Sequence, residues 1–151
     1  MSYKDSLTKL GNRFAMEKYI EQIDTEKSIG VVYCDITGLK HVNDTMGHAA
    51  GDQLILRACD SLKQAFGDYG IFRIGGDELL ALCAEIDYAV LMERIKLMKE
   101  TMERNNVNMA VGEIWQEKAQ TRLDTLLQES EKRMYADKEA YYKKTGIERR
   151  K

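Results

Sequence analysis

The most informative stretch of the sequence is Ile71-Phe72-Arg73-Ile74-Gly75-Gly76-Asp77-Glu78-Leu79-Leu80-Ala81-Leu82. Two apolar runs flank a Gly-Gly pair, and two adjacent carboxylates follow the pair. Glycine adopts positive φ at little steric cost, so this pattern predicts a β-hairpin. The missing side chains would also let another molecule approach the backbone closely. Taken alone, these residues describe either a surface turn with solvated acids or part of a binding site.

Length and composition indicate one domain. The chain has 151 residues, of which 44% are hydrophobic, enough for a sizeable core. The formal net charge is -2, which points to no particular class of binding partner and does not indicate nucleic-acid binding. The patterned sequence starts almost at once, so we expect residues 1–151 to be a single domain cut from a longer signalling protein.

Cysteine usage and hydropathy indicate a cytoplasmic domain. The three cysteines, Cys34, Cys59 and Cys83, lie among apolar neighbours without C-x-x-C spacing, as expected of buried free thiols in a reducing compartment. No apolar run approaches the roughly 18 residues of a membrane span, so no membrane contact is expected from this segment. The parent protein could still be attached to a membrane.

A second carboxylate lies at the end of an apolar run of strand length. Residues 29–36 are almost continuously apolar, which predicts a central buried strand, and Asp35 lies at its end. An isolated buried carboxylate costs several kcal/mol unless it is paired or bound to a metal. Asp35 is therefore a candidate functional residue.

The remaining elements follow from apolar spacing. Helices are predicted after Asn12, over 37–44 with Thr37 as a possible N-cap, and over 49–65, 88–104 and 123–144, with a further strand over 107–115. This order predicts an α+β fold, in which helices cover a mostly antiparallel sheet of about five strands. Sequential elements are usually neighbours, so the strand of Asp35 is placed beside the hairpin.

This placement brings Asp35 near Asp77 and Glu78. Three carboxylates at the ends of adjacent strands suggest a divalent-metal site, most plausibly for Mg²⁺. Backbone N–H groups at the start of the 37–44 helix, with Lys40 and Lys138, could bind phosphate.

Two further polar residues have the hydrogen-bonding groups to complement a guanine edge. Asn43 offers an amide donor and acceptor, and Asp52 offers a carboxylate. Taken singly, these two residues, Lys40 and Lys138 can equally be solvated or helix-end side chains.

Four motifs together make this sequence resemble the GGDEF-domain family of diguanylate cyclases, from Asp5 to about Lys144. Residues 5–13 resemble the family's D-x-L-T-x-L-x-N-R start, and residues 35–52 resemble its D-x-D-x-F-K-x-x-N-D-x-x-G-H-x-x-G-D segment. Residues 73–79 match the signature loop in a GGDEL variant, and residues 134–138 lie where the family has A-L-Y-x-A-K. Four motifs in order and at workable spacing form a specific signal.

The resemblance implies a nucleotide-cyclase architecture with a palm-like, ferredoxin-like core. It also implies condensation of two GTP into cyclic di-GMP with release of two pyrophosphates, at the interface of two copies of the domain. Asp35, the Ile36 carbonyl and Glu78 would hold two Mg²⁺ ions, for which Mn²⁺ can substitute. Asp77 would bind metal or help to activate the 3′-hydroxyl.

The substrate-binding residues are implied in the same way. The Gly75-Gly76 backbone would lie against the nucleotide, Asn43 and Asp52 would recognise guanine, and Lys40 and Lys138 would bind the terminal phosphates.

The chain departs from the family pattern at several positions. Thr37 replaces a second aspartate, Gly38-Leu39 replaces bulkier residues, and Leu79 replaces the signature phenylalanine, at what we expect to be a core position. Tyr142 lies where the family often has a second phosphate-binding arginine, which would weaken triphosphate binding. A product-inhibition R-x-x-D motif would fall on Phe66 and Tyr69, so that site is expected to be absent.

Three alternatives remain at the level of sequence. The first is a degenerate relative that binds GTP or cyclic di-GMP and regulates a partner without catalysis. The second is a structural dimerisation domain, which leaves Asp35, Asn43 and Asp52 unexplained. The third is a cyclase that uses ATP, against which Asp52 argues because it suits guanine.

Overall fold

The structure, a computed structural model, describes residues 2–120 and 123–146. Within them, helices and strands follow one another as α1 (Arg13–Glu21), β1 (Ile29–Ile36), α2 (Leu39–Met46), α3 (His48–Phe66), β2 (Gly70–Arg73), β3 (Glu78–Ala84), α4 (Tyr88–Arg104), β4 (Met109–Gln116) and α5 (Leu123–Thr145). The predicted order of elements is confirmed, and their ends differ by a few residues. No helix in these two ranges is long and apolar enough to cross a membrane.

The sheet is antiparallel throughout and has the order β2-β3-β1-β4. β1 therefore pairs on both sides, and all eight of its residues are buried. This explains its continuous apolar sequence, since a central strand covered on both faces has no solvent-facing side. The prediction of a central buried strand beside the hairpin is confirmed.

Helices cover both faces of the sheet. Alternate residues of β1 enter separate cores because strand side chains alternate between faces. Val32, Cys34 and Ile36 pack with α3 and α4, whereas Ile29, Val31 and Tyr33 share the other core with α1 and α5. The α+β prediction is confirmed, and Asp35 belongs to the face that α5 covers.

The sheet has four strands in the described residues, against the expected count of about five. The N-terminal segment contributes only isolated bridges, between Lys4 and Gly11 and between Gly11 and Phe72. These bridges attach the segment to the free edge of β2 without forming a continuous ladder.

The hairpin is confirmed, but its glycines act differently from the prediction. Residues 74–77 connect β2 to β3, and the Ile74 N–H donates to the Glu78 carbonyl at 3.0 Å. Neither Gly75 nor Gly76 has positive φ. A Cβ on Gly75 would lie 2.8 Å from Glu78 Oε1, whereas a Cβ on Gly76 would meet nothing within 4 Å. Gly75 therefore leaves room for the Glu78 side chain, and Gly76 leaves one side of the turn open.

Thr37 was expected to cap α2, and this prediction is wrong. Gly38 is the N-cap residue, with a left-handed φ of 79°. The Thr37 N–H donates to the Asn108 carbonyl at 2.9 Å, and the Asn108 amide donates to the Thr37 hydroxyl at 2.9 Å. Because pairing with the segment before β4 continues through Thr37, the chain turns one residue later, at a glycine that tolerates positive φ.

Helix α5 packs unusually close to β4. A Cβ on Gly112 of β4 would overlap the Ser130 carbonyl and the Met134 amide. Because Gly112 has no side chain, the backbones of α5 and β4 approach each other closely, and this contact sets the distance between α5 and the sheet. Lys138 lies one turn beyond this contact and reaches the end of β1 as a result.

Two predictions about buried residues are also confirmed. Cys34, Cys59 and Cys83 are free and buried. Leu79 is fully buried, so the leucine of the GGDEL variant occupies a core position.

Candidate active site

Asp35 and Glu78 are directly opposite each other on β1 and β3. Cross-strand partners project to the same face of an antiparallel sheet, so both carboxylates lie on the side covered by α5. The Ile36 N–H donates to the Asp77 carbonyl at 2.8 Å, which fixes the end of β1 against the hairpin. The predicted proximity of Asp35 to the two hairpin acids is confirmed.

Asp35 is only 6% exposed, and Lys138 of α5 is its ion-pair partner, with Nζ 3.4 Å from Oδ2. Burial and, next, the charge of Asp77 raise the pKa of Asp35 to about 6, although Lys138 opposes both effects. One lysine does not offset the free-energy cost of burying the charged Asp35 carboxylate. An additional cation beside the carboxylate would offset it.

Glu78 belongs to a second group of polar side chains. The Tyr33 hydroxyl donates to Glu131 Oε2 at 3.3 Å and also lies within hydrogen-bonding reach of Glu78. Burial, with Asp77 and Glu131 nearby, raises the pKa of Glu78. Burial and the two neighbouring carboxylates also raise the pKa of Tyr33, so its hydroxyl keeps its proton. Tyr33 and Glu131 were not predicted as site residues. Tyr33 lies within an apolar run that is typical of a buried strand, and Glu131 resembles any solvent-exposed acidic residue on a helix.

A small cavity of about 80 Å³ lies beside these carboxylates. Four of its lining residues are candidate site residues or departures from the family pattern that the sequence shows: Lys40, Asp77, Lys138 and Tyr142. Ile36 and the first turn of α2 complete the wall. The structure therefore brings the two candidate phosphate-binding lysines to one site, from α2 and from α5.

The two candidate guanine-binding residues lie where α2 meets α3. The buried Oδ1 of Asn43 has no hydrogen-bond partner among the residues described, and a Cβ on Gly51 would overlap this atom. Asp52 is exposed on the first turns of α3. A buried amide oxygen without a partner is uncommon, and a ligand that donates a hydrogen bond would satisfy it.

Arg73 at the end of β2 and Arg13 at the start of α1 connect the hairpin to the N-terminal part of the chain. Arg73 Nη2 donates to the Gly76 carbonyl at 2.9 Å, and its Nη1 pairs with Asp5 at 3.2 Å. Arg13 Nη2 donates to the Ile74 carbonyl at 3.2 Å. Asp5 also accepts hydrogen bonds from the backbone and hydroxyl of Thr8. Asp5, Arg13 and Arg73 belong to the sequence motifs, but no role was predicted for them. In the structure their contacts stabilise the hairpin turn.

Magnesium fits the donor chemistry of this site. In the described ranges, no three His, Cys, Asp or Glu side chains are close enough together to hold a metal ion by themselves. Mg²⁺ does not require such a cage, because it binds through one or two carboxylates and keeps several waters or substrate oxygens. Asp35 and Glu78 are hard oxygen donors opposite each other, and burial, with the charge of Asp77, raises the pKa of Asp35, so a bound cation would stabilise its charged form.

Comparison with known proteins identifies the family. The family model described as "Diguanylate cyclase, GGDEF domain" matches residues 2–144. The chain is 30% identical over 146 residues to "Probable diguanylate cyclase DgcJ" of Escherichia coli K12, covering 89% of this chain and 29% of the relative. It is 31% identical over 115 residues to "Cyclic di-GMP phosphodiesterase PdeB" of Shewanella oneidensis, covering 72% of this chain and 13% of that protein. The chain thus spans less than a third of either curated relative.

A solved structure shows the same fold. The GGDEF domain of DgcB from Caulobacter crescentus, crystallised with c-di-GMP, superposes with a TM-score of 0.80 at 21% identity, over 91% of this chain and 88% of that one. The match of the family model over almost the whole length, together with this architecture, leads to one conclusion. The chain belongs to the GGDEF domain family.

Proposed function

We propose that this domain is a diguanylate cyclase, which condenses two GTP into cyclic di-GMP and two pyrophosphates. One observation carries the proposal: Asp35 and Glu78 pair across adjacent strands, on the face where Lys138 reaches in beside a cavity that Lys40 also lines. Paired acids next to two lysines suit a metal-bound triphosphate.

The residues would act mainly by positioning the substrate and neutralising its charge. Lys40 of α2 and Lys138 of α5, which both line the cavity, would bind the terminal phosphates. Asn43 and Asp52 would recognise guanine, whose N–H groups can satisfy the buried Asn43 oxygen. The open side of Gly76 and the space at Gly75 would let the nucleotide lie against the hairpin backbone.

Asp35, Glu78 and the Ile36 carbonyl would hold two Mg²⁺ ions, with Mn²⁺ able to replace them. Bound Mg²⁺ would neutralise phosphate charge and help to activate the 3′-hydroxyl that attacks the α-phosphate. Asp77 would share in metal binding or in accepting the hydroxyl proton. Tyr33 would keep Glu78 oriented toward the site, because its hydroxyl is held between Glu78 and Glu131.

Each copy of the domain would bind one GTP, so that two copies must meet for the reaction. We infer that the domain works in the cytoplasm as part of a longer signalling protein, since the curated relatives it matches are three or more times the matched length. Their phosphodiesterase or cyclase activities belong to those proteins.

The test is product formation by the purified chain with GTP and Mg²⁺, measured by chromatography and mass spectrometry. Wild type should yield cyclic di-GMP, and Glu78→Ala or Asp35→Ala should abolish it with an unchanged circular dichroism spectrum. Glu129→Ala, an exposed acid on α5, is the matched control and should keep full activity. GTP binding without product at high protein concentration would refute the cyclase proposal and favour the regulatory alternative. Absence of metal-dependent GTP binding would favour a structural domain.

A further inference from the structure

A second cavity, much larger than the active-site cavity, lies behind α2. It has a volume of about 580 Å³, opens to the surface, and is lined by residues of α2, α3, α5 and the segment that precedes β4. This volume falls in the range of roughly 300–1,000 Å³ that is typical of small-molecule sites. None of the residues selected for metal, phosphate or guanine binding lines it.

The lining combines apolar walls with positive charge. Val42, Leu54 and Val107 supply aliphatic surface, and the rings of Tyr141 and Tyr142 meet edge to face, with centroids 5.7 Å apart. Arg57 and His41 also line the cavity, which contains no acidic side chain. Neither of these two side chains makes a hydrogen bond or ion pair with any residue that the structure describes.

This chemistry matches one class of ligand. A flat aromatic group would fill the space between the tyrosine rings and the aliphatic wall, and an attached carboxylate, sulfonate or phosphate would pair with Arg57. We propose that this cavity is a second binding site, which takes a planar aromatic anion.

The cavity is also coupled to the active site, an inference that rests on the proposed function. Gly38, His41 and Tyr142 line both the large cavity and the active-site cavity of about 80 Å³. Because the active-site cavity is this small, a triphosphate would require its walls to move apart. Because Tyr142 forms a wall of both cavities, widening the smaller one moves this ring into the larger one. A ligand in the large cavity therefore opposes nucleotide binding, and the nucleotide opposes that ligand equally.

Binding is tested with 8-anilinonaphthalene-1-sulfonate, an aromatic anion with a flat naphthalene ring, whose fluorescence rises in apolar surroundings. The full chain without nucleotide should bind it saturably, with one site. Arg57→Gln should weaken binding about tenfold, and His41→Trp, which fills the mouth of the cavity from an exposed position, should weaken it as much or more. The uncharged analogue N-phenyl-1-naphthylamine should bind more weakly than the sulfonate and be insensitive to Arg57→Gln.

Two control variants locate the probe. Arg133→Gln removes an exposed arginine outside the cavity, and Lys63→Gln removes a cation from a different groove, at the edge of β2. Both should leave binding unchanged. An effect of Lys63→Gln with none of Arg57→Gln would put the probe in that other groove and overturn the proposal. No saturable binding, or equal affinity for the uncharged analogue, would also overturn it.

The coupling is measured by calorimetric titration of GTP with Mg²⁺, with and without saturating probe. The probe should weaken GTP binding several-fold in wild type and in Tyr142→Phe, which keeps the wall, and have little effect in Tyr142→Ala, which removes it. Unchanged GTP affinity in wild type would refute the coupling. If GTP does not bind at all, the proposed function fails, while the fluorescence titration still decides the second site.

Discussion

At the scale of the residue, Asp35 has the least favourable environment of the site acids. Burial, together with the neighbouring charge of Asp77, raises its pKa from 3.8 to about 6. A carboxyl whose pKa is raised in the folded state contributes stability below its unfolded pKa of about 3.8, and that contribution is lost as pH rises through about 6. The metal-free protein therefore retains an unfavourable charge at neutral pH.

We predict that Asp35→Asn stabilises the metal-free protein above pH 6, by about 1–2 kcal/mol, after a reduction for the unpaired Lys138. The gain should shrink as pH falls from 6 toward 4, because the wild-type carboxyl then becomes protonated. Thermal unfolding from pH 4 to 8 in EDTA would measure it, as a rise in Tm of a few degrees at the upper end. Asp87→Asn, at an exposed acid, is the control. A variant that is less stable than wild type at pH 8 would contradict the prediction.

Gly51 determines whether Asn43 can reach guanine. A Cβ at this position would overlap Asn43 Oδ1, so Gly51→Ala must displace the amide. We predict about a tenfold weaker GTP affinity by calorimetry, comparable to the effect of Asn43→Ala, since a hydrogen bond that is lost to a buried group costs about 1–3 kcal/mol.

The double variant tests this explanation of the Gly51 effect. When Asn43 is already alanine, the new methyl group has no amide to displace, so the double variant should bind GTP no more weakly than Asn43→Ala alone. Additive losses would show that Gly51 acts in another way, through the backbone of α3.

At the scale of the element, the hairpin depends on contacts from outside it. Two β-strands joined by a four-residue turn have little stability alone, and Arg73 ties this turn to the N-terminal segment through the Gly76 carbonyl and Asp5. The Arg73 and Asp5 side chains are only 17% and 20% exposed, so their attraction is screened less than that of a surface pair.

We predict that Arg73→Met destabilises the fold by about 2–4 kcal/mol, because Asp5 loses its partner in a partly buried site. Arg73→Lys should recover only part of the loss, since an ammonium cannot bind both acceptors as the guanidinium fork does. Urea denaturation would give both values. Arg94→Met, which breaks the more exposed pair with Asp68, should cost about 1 kcal/mol or less. Equal losses in the two methionine variants would show that burial is not the cause.

At the scale of the whole molecule, the proposed reaction requires two copies. One domain would hold one GTP, and its 3′-hydroxyl must reach the α-phosphate held by the other. The cavity beside the carboxylates is small and is lined by Asp77 of the hairpin turn.

We predict that the rate of cyclic di-GMP formation rises with the square of protein concentration while the domain is mainly monomeric. Specific activity should therefore increase in proportion to concentration and level off once dimers predominate. Initial rates over a hundredfold range of protein, with light scattering on the same samples, would measure this. A specific activity that stays constant while the protein is monomeric would contradict the two-copy mechanism.

Much of this architecture is predictable from local sequence pattern. The apolar run ending at Asp35 identified β1, and helical spacing located all five helices of the described residues to within a few positions. These features are local, because a continuous apolar run and a helical periodicity each depend only on residues that are close together in sequence. The turn around Thr37 was mispredicted, because its partner Asn108 lies 71 residues away in sequence.

Sequence pattern was enough for the family motifs, the order of helices and strands along the chain, and the identity of the candidate ligands, whereas the number of strands in the sheet, four and not about five, came from the structure. Only the tertiary structure decided which side chains meet: Asp35 with Lys138, Tyr33 with Glu131, and Arg73 with Asp5. It also decided that Gly75 and Gly76 provide space instead of positive φ. Secondary-structure propensity and periodicity act over a few neighbouring residues. These contacts instead join residues tens of positions apart, which strand register and helix packing bring together.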